Sequence, residues 1–203
     1  VYTMLLGLPP ERRTKEVHIL SADTLVESPS IQRRILKSCG QIERQAKRDG
    51  LPIRVAVLRP TLDDSFWVNL IGRGYPSPNK WFRWCTERLK IKPINRYILD
   101  RVRENGEVVI VLGARKAESA SRAQVMAKYK VENLRLRTHS DIQGAFVYAP
   151  LEDWLLQEVW VYLLQAGSPW GTDNKELLRL YRQADEECPM VVDKNTPACG
   201  GSR

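Results

Sequence analysis

The sequence predicts an α/β fold: an open, mainly parallel, doubly wound sheet, followed by a C-terminal helical extension that ends in a cysteine loop. Strand-like and helix-like segments alternate along the chain, which is typical of parallel sheets covered by helices. The stretch "GEVVIVLG" at 106–113 contains an unbroken apolar run between two glycines, which indicates a strand buried on both faces. We place the α/β domain at 1–150 and the extension at 151–203.

The first part of the chain contains a strand, a helix and a strand within roughly forty residues, enough for one βαβ unit. The opening apolar run breaks at Pro9 and is predicted to be the end of a helix that begins before this chain. The strands are "KEVHILSADT" (15–24) and "PIRVAVLRP" (52–60). Between them, 28–50 has apolar residues on one helical face, Ser28 or Ser30 as an N-cap beside Pro29, and a terminal glycine.

A mixed segment follows, with a Gly/Pro loop through 72–78 and a helix from about 94 to 103. After the strand at 106–113 comes a polar, basic stretch, and then the strand "AFVYAP", which leads into an amphipathic helix. "DNKELLRLYRQADEEC" (173–188) is the last short helix. Because parallel α/β sheets bind ligands at the carboxyl ends of their strands, the candidate site residues are those just after each strand.

The composition excludes several classes of protein. Of 203 residues, 43% are hydrophobic and 28% are charged, as in globular rather than disordered or fibrous proteins. No secretory signal is recognisable, and no apolar run approaches the roughly 20 residues that cross a bilayer, so we expect a cytoplasmic protein with no membrane partner. The net charge of +8 favours a polyanionic partner such as nucleic acid, a nucleotide or an acidic protein.

The cysteines are too few for a disulfide-stapled scaffold of this size, so metal, cluster or sulfur chemistry is the alternative to inert thiols. Cys39 lies in a helical pattern and is interpreted as a small structural residue. Cys188 and Cys199 lie in a terminal loop rich in proline and glycine. A metal or cluster site usually takes four ligands, so these two alone do not define one.

A first candidate site follows the first strand, in "LSADT". Ser21, Asp23 and Thr24 lie where the strand gives way to a loop. A carboxylate there can accept hydrogen bonds from a ribose hydroxyl or an adenine amino group. Alternatively, Asp23 caps the following turn. The spacing leaves both interpretations open.

A second candidate site follows the buried strand, in "GARKAESASR". Gly113 allows a tight turn, and Arg115, Lys116 and Arg122 bring cations to a loop of small residues. The planar guanidinium fork suits phosphate or sulfate oxygens. The alternative is a solvated basic loop in which Glu118 pairs with an arginine. The position after a buried strand favours phosphate binding.

A third candidate is Cys85, which lies among aromatic and basic residues in "WFRWCTERLKIKP". Nearby cations such as Lys90 and Lys92 would lower the thiol pKa and favour the reactive thiolate. The same mixture suits nucleic acid, because aromatic rings stack on bases and cations meet phosphates. Alternatively, the tryptophans belong to the core and Cys85 is an inert buried thiol.

Together these stretches resemble the adenine-nucleotide alpha hydrolases, in particular the branch similar to phosphoadenylylsulfate reductases. "SADTLVESP" resembles the Asp-Thr loop of that branch, with its downstream Glu and Pro. "WCTERLKIKP" resembles its Cys-x-x-(Arg/Lys)-x-Lys-x-x-Pro stretch, and "GARKAESASR" its Gly-x-Arg-x-x-Glu-Ser motif. Through nearly the whole chain, including "SPWGTDN" and "CPMVVDKNTPACGGSR", the resemblance extends to sulfur-transfer proteins of bacterial DNA phosphorothioation.

The resemblance implies an ATP-pyrophosphatase-type sulfurtransferase that adenylylates the DNA backbone before sulfur is incorporated. The implied cofactors are ATP, Mg²⁺ and a [4Fe-4S] cluster. The implied partners are DNA, a cysteine desulfurase as sulfur source, and other phosphorothioation proteins. The pyrophosphate loop of the family and a Cys-x-x-Cys pair that completes the cluster are expected outside this chain, before Val1 and after Arg203.

The resemblance also implies a role for each candidate residue. Ser21, Asp23 and Thr24 would bind the adenosine, and Gly113, Arg115 and Arg122 would bind the phosphates. Lys90 and Lys92 would contact the anionic substrate. Cys85 would relay sulfur, and Cys188 and Cys199 would be cluster ligands. Cys85, Arg115 and Lys90 would be the catalytic residues. Two alternative functions stay open: a thiol-dependent reductase of an adenylylated sulfate, and a non-enzymatic basic module that binds nucleic acid.

Overall fold

The computed structural model describes residues 1–79, 82–129, 131 and 135–184. The helices are α1 (Tyr2–Gly7), α2 (Pro29–Arg48), α3 (Trp84–Thr86), α4 (Lys92–Asn105), α5 (Ala120–Lys128), α6 (Leu156–Ala166) and α7 (Asn174–Ala184). The strands are β1 (Val17–Ala22), β2 (Ile53–Leu58), β3 (Val108–Val111), β4 (Leu136–Thr138) and β5 (Ala145–Tyr148). Short π-helical turns occur at Val68–Gly72 and Glu87–Ile91, and 3-10 turns at Pro10–Arg12 and Lys116–Glu118.

The described residues form two compact units. The first contains Val1–Pro93 and the described residues from Leu163 on, and the second is Ile94–Tyr162.

The first unit is built on a parallel strand pair that α2 connects. The register of β1 and β2 runs from Val17 opposite Ile53 to Ala22 opposite Leu58. α2 begins at an N-cap, Ser28, whose Oγ accepts a hydrogen bond from the Ile31 N–H at 3.4 Å. The sequence had left Ser28 and Ser30 as alternative caps, and Ser28 is the cap.

Two buried clusters hold the first unit together. The first consists of Tyr2, Ile42, Ala46, Leu51 and Ile53, so α2 packs its apolar face beside the strand pair. The second consists of Phe66, Trp84, Cys85 and Leu89, around α3 and the adjoining π-helical turns. Burial of these apolar side chains stabilises both clusters at about 25 cal/mol per Å² removed from water.

The second unit contains a three-stranded mixed sheet in the order β3-β5-β4. β3 pairs in parallel with β5, and β4 pairs antiparallel with β5. Ile98 from α4 packs against Ile142 and Ala145 in its core. Gly144, with φ of 81°, lies so close to Gly106 that an added Cβ would meet the Gly106 carbonyl oxygen at 2.8 Å.

The predicted α/β class with parallel strands is confirmed, whereas one detail of the prediction is wrong. β3 is not buried on both faces, because Val109 is 56% exposed and Val111 is 46% exposed. Within its sheet β3 is an edge strand, and an apolar run of four or five residues does not distinguish an edge strand from a central one.

The boundary at residue 150 stays a prediction, and the cysteine loop lies outside the described residues. Among the helices that the structure describes, none combines the length and apolar character needed to cross a membrane.

Candidate functional site

The loop after β1 buries the first predicted pair of polar residues. Asp23 is 2% exposed and Thr24 is fully buried. The Asp23 N–H continues the ladder by donating to the Leu58 carbonyl at 2.8 Å, which places the loop directly at the carboxyl end of the parallel pair. Ser21 lies just before them, half-buried within β1. Sequence reasoning therefore located a structured, buried loop at the position where such sheets bind ligands.

The Asp23 carboxylate is held by partners on three segments. Its Oδ1 accepts from the Leu25 N–H at 3.1 Å, and its Oδ2 accepts from Arg59 Nε at 3.0 Å and from Gln32 Nε2 at 3.5 Å. The bond to Leu25 is the turn cap that the sequence left open as an alternative. Leu25 has a φ of 64°, a conformation uncommon for a residue with a side chain. Arg59 was missed because no local pattern links it to Asp23.

Glu27 connects the same loop to one of the predicted substrate-binding lysines. The Thr24 hydroxyl donates to Glu27 Oε1 at 3.1 Å, and Lys90 Nζ lies 3.9 Å from that oxygen. The Lys90 side chain is 43% exposed, so its ammonium group also faces solvent. The structure thus brings Thr24 and Lys90 to one carboxylate, whereas Lys92 is held elsewhere.

Lys92 belongs to an ion cluster around Asp64. Asp64 Oδ1 accepts from Arg88 Nη1 at 2.6 Å and from Lys92 Nζ at 3.1 Å, and Arg88 Nη2 also donates to the Tyr75 hydroxyl at 2.7 Å. Partial burial disfavours the charged carboxylate, but the hydrogen bonds from Lys92 and Arg88 outweigh it and lower the pKa of Asp64. Hydrogen bonding to Asp64 raises the pKa of Arg88. Both cations are therefore already engaged by one carboxylate that the sequence analysis did not single out.

Cys85 lies inside an aromatic cluster. It is 3% exposed, and neighbouring Trp84 stacks on Phe66 with ring centroids 5.3 Å apart and an interplanar angle of 18°. This environment fits the alternative stated from the sequence, in which Cys85 is an inert thiol that packs as a small hydrophobic residue. A reaction at the Cys85 sulfur would require this packing to open.

In the second unit, the loop after β3 gathers two arginines on one carboxylate. Arg115 Nε lies 3.4 Å from Glu118 Oε1, and Arg122 Nη1 contacts the other oxygen of Glu118. Arg115 is largely buried, with 13% of its side chain exposed, whereas Arg122 is half exposed. α5 begins directly after this loop, and its N-cap Ser119 accepts from the Arg122 N–H at 3.2 Å. Two guanidinium groups therefore converge on one negative group, directly before the start of α5.

A second set of contacts holds this loop from the segment after β5. The Lys116 N–H donates to the Glu152 carbonyl at 2.8 Å, and Lys116 Nζ donates to Asp153 at 2.7 Å. The hydrogen bond with Asp153 raises the pKa of Lys116, and the same bond lowers the pKa of Asp153. Arg137, which is buried, donates to the Glu152 carboxylate and, through Nε, to the Met126 carbonyl at 2.5 Å. These partners come from three separate parts of the chain, so sequence reasoning missed them.

The comparison with protein families decides the family. Residues 40–191 match the model of the phosphoadenosine phosphosulfate reductase domain, which is well over half of the chain. The chain belongs to this family. The phosphoadenosine phosphosulfate reductase family is an enzymatic one, of sulfur-transfer or nucleotide-sulfate reductase type.

A curated relative of this family member is the uncharacterized protein MJ0066 of Methanocaldococcus jannaschii. The two are 26% identical over 157 residues, which cover 77% of this chain and 28% of that protein. The chain therefore spans less than a third of the length of the relative that it matches.

The predicted site residues of this reductase-family domain are divided between the two units. Ser21, Asp23, Thr24, Cys85 and Lys90 belong to the first unit, and Gly113, Arg115 and Arg122 to the second. Cys188 and Cys199 lie outside the described residues. Among the residues that the structure does describe, no group of three or more His, Cys, Asp or Glu side chains could hold a metal ion.

Proposed function

We propose that this chain is part of an ATP-pyrophosphatase-type sulfurtransferase, similar to DndC, that activates the DNA backbone for phosphorothioate formation. A backbone phosphate oxygen attacks the α-phosphorus of ATP and releases pyrophosphate. The resulting adenylylated DNA phosphate then reacts with a sulfur nucleophile, and AMP leaves with the activated oxygen. A cysteine desulfurase would supply the sulfur, and other phosphorothioation proteins would act as partners.

The observation that carries the proposal is the convergence of Arg115 and Arg122 on Glu118. Two guanidinium forks that can meet one carboxylate can equally meet the oxygens of one phosphate group. Such fixed cations stabilise the charge that develops during phosphoryl-group transfer, without a side chain acting as an acid. Glu118 would act as a stand-in for the substrate anion, which must displace it. The net charge of +8 is compatible with a polyanionic substrate such as DNA.

The other candidate residues take roles that fit their surroundings. Asp23 and Thr24 would contact the adenosine, next to Ser21 at the end of β1. Lys90, half exposed beside Glu27, would contact the anionic substrate. A relay role for Cys85 stays a prediction, and it requires the contact with Trp84 to open.

We further propose that Cys188 and Cys199 are two ligands of a [4Fe-4S] cluster, and that Mg²⁺ arrives bound to ATP. A cluster would supply iron–sulfur chemistry for handling sulfur. The carboxylates near the candidate loops are engaged by cations, Asp23 by Arg59 and Asp64 by Arg88, so neither is a free Mg²⁺ ligand. Iron retained in full after Cys188→Ala or Cys199→Ala, measured in anaerobically purified full-length protein, would contradict the cluster assignment.

The function is tested by pyrophosphate release from ATP in the full-length protein with duplex DNA. Arg115→Ala should lower the rate by about 10²- to 10³-fold, the usual effect of removing one group that stabilises a charged transition state. Arg12→Ala is the matched control, because Arg12 is an exposed arginine outside both loops, and its rate should be unchanged. A rate of pyrophosphate release that is the same with and without DNA, and the same in wild type and Arg115→Ala, would contradict the proposal.

The second candidate function is a thiol-dependent reductase of an adenylylated sulfate. The match to the reductase domain over 40–191 favours it. It predicts sulfite release from adenylyl sulfate or its 3′-phosphate with a thiol donor, and no dependence on DNA. Sulfite release without DNA would therefore replace the sulfurtransferase proposal with this one.

A further inference from the structure

One face of α2 carries a row of cations on the side away from the core. We call Arg33, Lys37, Arg44 and Arg48 the basic stripe. At about 100° per residue, these four side chains fall within roughly 60° of arc on the helix. All four are exposed, whereas Ile42 lies in the core on another face of the helix. At 1.5 Å per residue, the stripe is about 22 Å long.

The basic stripe is not neutralised. α2 contains six cationic residues and a single carboxylate, Glu43. Arg34 is the α2 cation that forms an ion pair, with Glu176 at 2.8 Å. Among the residues that the structure describes, no ion pair involves any of the four stripe cations; Arg33 Nε donates to the Pro29 carbonyl, which leaves its other N–H groups available. By contrast, Arg59 in the loop after β2 is paired with Asp23.

The N-terminal half of the stripe borders a groove of about 470 Å³ between α2 and residues 171–176, within the first unit. Hydroxyl groups line it beside the cations, contributed by Ser30, Ser38 and Thr172. Gln41 also lines it, and its Oε1 is buried with no hydrogen-bond partner among the described residues.

Two carboxylates also line the groove, and both are occupied. Glu176 pairs with Arg34, and Asp173 accepts the Lys175 N–H at 2.8 Å at the start of α7. Neither contacts the stripe cations. The stripe therefore keeps four positive charges, and two of them, on Arg33 and Lys37, line a polar groove that also contains hydroxyl groups.

We propose that the basic stripe and this groove bind the phosphodiester backbone of DNA. The identity of the polyanion rests on the proposed function, whereas the location rests on the stripe. Along one strand the phosphates are about 3.4 Å apart along the helix axis, so a 22 Å stripe spans about six of them. Hydroxyl and amide donors are typical contacts to phosphate oxygens, and they fix position without reading sequence.

The scarcity of apolar side chains along the stripe favours DNA over an acidic protein. Protein interfaces usually have an apolar, desolvated centre. Between Arg33 and Arg48, the positions nearest the middle of the stripe are held by Lys37, Gly40, Gln41 and Arg44, and the exposed apolar residue Leu36 lies at its border. Binding at such a surface should be independent of sequence and strongly dependent on salt.

The test compares two quadruple variants of the full-length protein that lose the same charge. The stripe variant carries Arg33→Gln, Lys37→Gln, Arg44→Gln and Arg48→Gln. The control variant carries Arg12→Gln, Lys15→Gln, Arg96→Gln and Arg135→Gln, at residues that are exposed elsewhere and form no ion pair within the described part of the chain. Thermal unfolding checks that both variants are folded. Binding of a short fluorescent duplex is measured by anisotropy at several salt concentrations, with polyglutamate as a second labelled probe and inorganic phosphate as a competitor.

The stripe variant should bind DNA roughly 10²- to 10³-fold more weakly near 0.1 M salt. The slope of the logarithm of the binding constant against the logarithm of salt concentration should fall in magnitude by about 3 to 4, because each lost phosphate contact lowers it by about 0.9. The control variant should keep the wild-type slope to within about 1. An equal loss in both variants, or unchanged binding by the stripe variant, would overturn the proposal. So would polyglutamate binding as tightly as DNA, which would indicate an acidic protein, or displacement of the duplex by millimolar phosphate, which would indicate a site for free phosphate.

The two proposals fail separately. DNA binding is measured without ATP, so the stripe can be confirmed even if no pyrophosphate is released. Conversely, a stripe variant that has wild-type DNA affinity and still releases pyrophosphate in a DNA-dependent way would contradict DNA binding by the stripe. The same result would support the proposed function.

Discussion

Glu152→Gln should destabilise the protein by breaking a buried ion pair. Arg137 is 7% exposed, and its guanidinium donates to the Glu152 carboxylate and to the Met126 carbonyl. Removing one partner of a buried pair typically costs about 3–5 kcal/mol, because it leaves the other charge uncompensated. Here Arg137 keeps its hydrogen bond to Met126, and the Glu152 side chain is 21% exposed. We therefore expect the free energy of unfolding to fall by about 2–3 kcal/mol.

Urea unfolding at neutral pH measures this loss. The matched control is Arg122→Gln, which breaks an ion pair with a half-exposed arginine and should cost about 0–1 kcal/mol. The double variant Arg137→Met with Glu152→Leu should be less destabilised than Glu152→Gln, since it removes both charges from the buried position.

The same substitution probes the loop after β3. The Lys116 N–H donates to the Glu152 carbonyl, so loosening this segment should also weaken ATP binding. A cost for Glu152→Gln no larger than that of Arg122→Gln would refute the argument from burial.

Three further predictions concern other parts of the chain. Gly144→Ala should lower the free energy of unfolding by about 2–4 kcal/mol, because it adds backbone strain and overlap with the Gly106 carbonyl. Gly106→Ala should lower it by about 1 kcal/mol, because φ is 80° but the space around the added Cβ is open. Equal losses in urea unfolding would contradict the steric argument. Because the folded pKa of Asp64 lies below the unfolded value of about 3.9, its stabilising effect is present above that pH and is lost as the pH falls through the folded pKa. The stability difference between wild type and Asp64→Asn should therefore shrink below about pH 4, and a difference independent of pH would argue against the ion cluster. Cys85 should resist alkylation by iodoacetamide in the folded protein and react once urea unfolds it, as mass spectrometry of the peptides would show; rapid native labelling would mean that the aromatic packing opens readily.

Local patterns in the sequence were enough to predict much of the fold. Alternation, helical periodicity and end signals located β1, α2 and β2, and the serine–proline pair at Ser28 marks the start of α2. The position of polar residues after strands located both candidate loops. These features depend on residues close together in the chain, which is why they can be predicted.

The partners of the site residues could not be predicted in the same way. Arg59 contacts Asp23 and Asp64 contacts Arg88 only because the fold brings distant segments together. The edge position of β3 depends on pairing rather than on composition. Cys85 shows the same limit, since its neighbours in the sequence include several cations but its neighbours in space include Phe66, Trp84 and Leu89.

The most direct test of the central claim is whether sulfur enters DNA. Full-length protein is incubated with ATP, Mg²⁺, duplex DNA and a cysteine desulfurase with cysteine, and the DNA is digested and analysed by mass spectrometry. We predict dinucleotides in which sulfur replaces one backbone oxygen, formed only with ATP and nearly abolished by Arg115→Ala. Unmodified DNA together with sulfite release from adenylyl sulfate would contradict the account and identify a reductase.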